Sequence, residues 1–141
     1  MGLLCCGVVS VKMADHAVSQ SSLLGAHEKW YLVRLFDHYG HSALCSAEGQ
    51  YLRAEHPGYS VTLKPHLGDH VMWRMEEHSH QKVAFKSQHG TYLGAHPNGQ
   101  VDQFILVSDS ELWIKLPLEG DNMFAFLSSH GRYLSAIDRL K

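Results

Sequence analysis

The chain has 141 residues, 45% of them hydrophobic, which is enough to bury one core and excludes a disordered chain. Its formal net charge of −2 argues against a dedicated nucleic-acid binder, which carries a basic excess. Three cysteines, two of them adjacent, make no disulfide framework and point to a reducing compartment, and no apolar run approaches the roughly 20 residues that cross a bilayer.

The chain opens with Met1-Gly2-Leu3-Leu4-Cys5-Cys6-Gly7. A glycine at position 2 accepts a myristoyl group once Met1 is removed, and cysteines beside it accept palmitate. One acyl chain gives marginal membrane binding and a second makes it stable, so Gly2 with Cys5 and Cys6 is a coherent lipidation candidate. Cys6 stands where that motif usually has a hydroxyl residue. The plainer reading is an apolar strand from Gly7 to Lys12. Residues 1–14 are expected to form an extension, and residues 15–141 a single domain.

From Ala17 onward the chain reads as short strands. Glu28 to Leu35 is aromatic and β-branched with turn residues on both sides. Two later runs, Val71 to Glu76 and Glu111 to Leu116, carry the other two tryptophans. The turn units Gly49-Gln50-Tyr51-Leu52, Gly90-Thr91-Tyr92-Leu93 and Gly131-Arg132-Tyr133-Leu134 follow one another in two steps of 41 residues each. Val18 to Trp30, Val61 to Trp73 and Val101 to Trp113 each span 12 residues. A spacing that holds at three places marks an internal repeat. Each turn glycine permits a positive φ without steric cost. No sustained 3.6-residue periodicity appears, so helix content should be low.

The phase of the repeat sets the strand count. The landmarks run Trp30, Gly49, Trp73, Gly90, Trp113, Gly131. The chain begins with the last two pieces of one period and ends with the first two of another, with two full periods between. The fold class is therefore all-β: a β-trefoil of three repeats and 12 strands, each repeat about 41 residues, closed so that the barrel strands leave no edge. The opening falls inside one hairpin, near Ala136 on one side and Val18 on the other. Those residues must lie close together.

At these residues the chain resembles the fascin and hisactophilin group of β-trefoil actin-bundling proteins. The resemblance is carried by Lys82–Ala95, by its copy at Phe124–Ala136 and by the strands that bear Trp30, Trp73 and Trp113. It spans roughly residues 17 to 141, with a strand phase permuted relative to both relatives. It implies a non-enzymatic module that binds actin filaments, is located in the cytoplasm with the cytoskeleton or at the inner face of the plasma membrane, and meets an anionic membrane surface. The histidine content draws the comparison toward hisactophilin, a pH-responsive member.

Twelve histidines equal all Lys and Arg together, and most fall in turns and loops. If all were exposed and unperturbed, a fall from pH 7 to pH 6 would add roughly six positive charges. Binding to acidic actin or an anionic membrane would then strengthen as pH falls. The plainer reading is solvated surface histidine. His78-Ser79-His80 places two imidazoles on one side of a strand, but a metal site needs further ligands such as His38 or His41, so neither metal nor cofactor is expected. No catalytic constellation is present, and Cys45 reads as a buried small hydrophobe. The tryptophans and the Tyr-Leu pairs read as core. The partner-binding candidates are the basic and histidine side chains beside the glycine turns: Lys86, His89, His130 and Arg132. Two other readings are a glycan-binding lectin and one structural unit of a larger multi-trefoil scaffold. The ricin-type Gln-x-Trp signature is absent, because Glu28, Val71 and Glu111 hold the Gln position.

Overall fold

A computed structural model of the protein describes residues 18–35 and 40–137. Gly2, Cys5, Cys6, the Gly7–Lys12 strand, His16 and His38 lie outside the described residues. Among the described residues twelve short strands follow one another: β1 (Ser19–Ser21), β2 (Trp30–Arg34), β3 (Ser42–Ser46), β4 (Tyr51–Ala54), β5 (Val61–Lys64), β6 (Trp73–Glu77), β7 (Lys82–Ser87), β8 (Tyr92–Ala95), β9 (Val101–Phe104), β10 (Trp113–Pro117), β11 (Met123–Leu127) and β12 (Tyr133–Ser135).

Six of these strands close on themselves. β3 pairs with β6, β6 with β7, β7 with β10, β10 with β11, β11 with β2, and β2 with β3, all antiparallel. The other six form the outer pairs β4–β5, β8–β9 and β12–β1. This all-β arrangement, a closed six-stranded barrel with six outer strands, is compatible with a β-trefoil. β1 and β12, far apart in sequence, align Ser19 with Ser135 and Ser21 with Tyr133.

The tryptophans fill the barrel, and all three have no exposed surface. Each indole N–H donates to the carbonyl of a Tyr-Leu leucine: Trp30 to Leu134, Trp73 to Leu52 and Trp113 to Leu93, each at 3.0 Å. Those leucines are fully buried, whereas their tyrosine neighbours are only half-buried, so the pairs belong to the core through leucine alone. Phe85 meets Phe126 edge-on at 5.1 Å, the arrangement that suits the ring quadrupoles.

The glycine turns form as their sequence requires. Gly49, Gly90 and Gly131 take φ values of 84°, 83° and 78°, which a side chain would strain. In each turn the glycine N–H donates to the serine carbonyl three residues back, at Ser46, Ser87 and Ser128. Helix is confined, among the described residues, to three single 3₁₀ turns at Ala26–Glu28, Asp69–Val71 and Asp109–Glu111. These sit just before the three tryptophans, and the strand reading had no place for them.

Trp113→Phe removes one indole donor and leaves the Leu93 carbonyl buried without a partner. It should cost about 3 kcal/mol of stability, read from the shift of the urea unfolding midpoint at unchanged slope.

Candidate functional site

In the Gly90 and Gly131 turns the opening serine fixes the residue before the glycine, whereas in the Gly49 turn the Ser46 hydroxyl accepts from the Gln50 N–H after it. The Ser87 hydroxyl accepts from the His89 N–H at 3.1 Å, and the Ser128 hydroxyl accepts from the His130 N–H at 3.2 Å. Both imidazoles then reach back 35 residues along the chain. His130 Nε2 donates to the Ala95 carbonyl at 3.0 Å, and His89 Nε2 lies 3.3 Å from the Ala54 carbonyl. These two candidate contacts are therefore also ties between one outer strand pair and the next.

The four sequence candidates separate into two groups. His130 and Arg132 meet on the loop after β8, where the Arg132 guanidinium donates to the Pro97 carbonyl at 3.0 Å. Lys86 and His89 belong to the β7–β8 hairpin, with the Lys86 ammonium 5.9 Å from the centre of the Tyr92 ring. No hydrogen bond, ion pair or ring contact joins the two groups among the described residues.

His89 has neighbours that its sequence position did not announce. His56 stacks on it with ring centres 4.3 Å apart and planes 15° apart. His70 lies on another side, with His70 Nδ1 2.9 Å from His89 Nε2. A carbonyl accepts only, so the N–H belongs to His89 Nε2 and the His70 Nδ1 lone pair faces it. Burial lowers the His89 pKa most, followed by the His56 charge. The bond to Ala54 opposes this, and His70 and Arg53 add to the lowering. Arg53 is in turn 3.2 Å from Glu55, which also accepts from the Thr62 hydroxyl. Residues 56, 70 and 89 are dispersed in sequence, and the fold assembles them beside the end of β4, where His89 meets the Ala54 carbonyl.

The remaining histidines are not equivalent, although the sequence gives no reason to separate them. His27 faces Glu48 at 3.3 Å and His96 faces Asp102 at 2.8 Å, while His66, His78 and His80 are exposed. His78-Ser79-His80 does not lie on a strand: β6 ends at Glu77, and His80 and Gln81 take φ values of 61° and 65° in the turn before β7. The two imidazoles therefore do not share a strand face. Among the described residues no three His, Cys, Asp or Glu side chains are grouped to hold a metal ion. Cys45 is half-buried rather than buried, and burial raises its pKa, away from a reactive thiolate. No helix among the described residues is long and apolar enough to cross a membrane.

The fascin-domain family model matches residues 7–115, more than half of the chain. A search of curated proteins gives no match.

A histidine whose pKa is lowered in the native state binds fewer protons there than when unfolded. Its neutral form favours the fold above the unfolded pKa near 6.5, and that contribution is lost as pH falls below it. Replacing His89 with Gln should therefore flatten the decline in melting temperature between pH 7.5 and pH 5.5. An unchanged slope would assign the pH dependence to other groups.

Proposed function

This chain belongs to the fascin family, and we propose that it is a non-enzymatic β-trefoil module that binds actin filaments. The family match over residues 7–115 carries this reading. In the full form of the proposal, three repeats of about 41 residues surround a threefold axis, and one repeat is assembled from both ends of the chain. The pairing of β1 with β12 and the three recurring Trp-to-Leu bonds support that form.

The contacts proposed for actin are Lys86, His89, His130 and Arg132. Lys86 and Arg132 stand beside the turns on half-exposed positions, where cations can meet an acidic filament. The histidines tune that attraction. His66, His78 and His80 are exposed to solvent, whereas His89 resists protonation in its cluster. Cross-linking of filaments, as bundling requires, needs a second surface or a second copy. Acylation at Gly2 with Cys5 and Cys6 would place the module at the anionic inner face of the plasma membrane.

Co-sedimentation with actin filaments at pH 6.0 and 7.5 tests the reading. Pelleting should be stronger at pH 6.0, and the double variant Lys86→Glu, Arg132→Glu should weaken it by about five- to tenfold. Absence of pelleting at both pH values sinks the actin assignment, and equal pelleting sinks the histidine tuning. Mass spectrometry of protein made in a eukaryotic host reports acylation at Gly2.

A further inference from the structure

A groove of about 620 Å³ lies away from the four turn candidates. Its walls are Tyr59, Phe104, Ile105 and Leu106, and three of these are unusually exposed for their type: Tyr59 54%, Ile105 67% and Leu106 77%. Ser108 and Glu111 complete its polar side, and no Lys or Arg lines it. A volume of this size falls in the range of ligand-binding sites. The groove is open rather than enclosed, a shape that suits an extended chain better than a small molecule.

Glu111 makes the groove more than an apolar patch. Its residue is only 3% exposed, yet only half of its carboxylate is used. Oε1 accepts from the Ser108 N–H at 2.8 Å and the Ser108 hydroxyl at 2.7 Å. No donor among the described residues reaches Oε2. The counterpart at the same offset from its tryptophan is Glu28, whose Oε1 accepts from the Gly25 N–H and whose Oε2 accepts from the Ser135 hydroxyl at 2.6 Å. Ser135 follows Leu134 just as Gly94 follows Leu93, so the Glu111 counterpart of that donor has no side chain. Nor can it acquire one readily. A Cβ at Gly94 would stand 2.2 Å from the Phe104 ring and 2.8 Å from Glu111 Oε2.

Glu111 lines the groove, and an apolar occupant would cover the unpaired Oε2 without supplying a donor, which would cost free energy. An anionic occupant would be repelled. A cation on an apolar stem satisfies both halves of the groove. We infer that this groove binds an extended peptide segment from a partner protein, presenting one lysine or arginine between aliphatic side chains. The cation pairs with Glu111 Oε2, and the aliphatic neighbours cover Tyr59, Ile105 and Leu106.

The test is a titration of the ¹⁵N-labelled full chain with acetyl-Val-Lys-Leu-Val-amide, followed by amide chemical shifts. Saturable shifts should centre on residues 104–111. The same peptide with its lysine Nε-acetylated, and the variant Glu111→Gln, should each bind at least about tenfold more weakly. Because Glu111→Gln also touches the Ser108 turn, Leu106→Ser provides a second variant at an exposed position. It should weaken binding while leaving the melting temperature unchanged. Equal affinity for the acetylated peptide, or no saturable shift at these residues, overturns the inference. Concentration-dependent shifts at the same residues without peptide assign the groove to a second copy of the chain and overturn it as well.

Discussion

Three hydrogen bonds hold the barrel to its outer strands. In each, a fully buried indole N–H finds its acceptor on the leucine carbonyl of an outer strand, 20, 21 or 104 residues away. Tryptophan brings the largest apolar surface available and a single donor that must be satisfied when buried. The leucine that supplies the acceptor buries its own side chain in the same core. Packing and polar satisfaction therefore constrain the same two residues. The Trp30 bond also ties an early strand to β12, near the far end of the described chain.

The second layer of the structure is polar and less regular. Gln20 donates through Nε2 to the His96 and Gln100 carbonyls and accepts from the Ser128 hydroxyl. Gln103 does the same with Glu55, Ser60 and Thr91. Leu63 holds the third corresponding position, ten residues before Trp73. The replacement is coupled: Glu28 and Glu111 accompany the glutamines, whereas Val71 accompanies Leu63. A buried carboxylate and a buried amide each need fitted partners, so one period has exchanged both for apolar packing. The free oxygen of Glu111 arises within this layer, where Gly94 cannot supply what Ser135 does.

Histidine-rich composition suggested one collective behaviour, and tertiary contacts divide it. Identical side chains serve as carbonyl ties at His130, as carboxylate partners at His27 and His96, as a packed cluster at His56, His70 and His89, and as exposed groups at His66, His78 and His80. Within the cluster, burial of His89 and the neighbouring His56 charge oppose its protonation.

The sequence alone determined the all-β class, the glycine turns, the core tryptophans and the number of strands. These rest on local chemistry and fixed spacing: a glycine that must take positive φ, a large apolar ring that must be buried, and a register that recurs. It also identified Lys86, His89, His130 and Arg132 as turn-flanking groups, but not that His89 and His130 are tied to carbonyls 35 residues away. Tertiary structure alone decided the histidine cluster and the groove at Glu111. Both depend on which side chains are missing or present across strand pairs far apart in sequence, and no local pattern encodes that. The stretch around Gly94 shows the limit. In the chain it is one more glycine after a Tyr-Leu pair, and only its closeness to Phe104 and Glu111 gives its bare Cα a consequence.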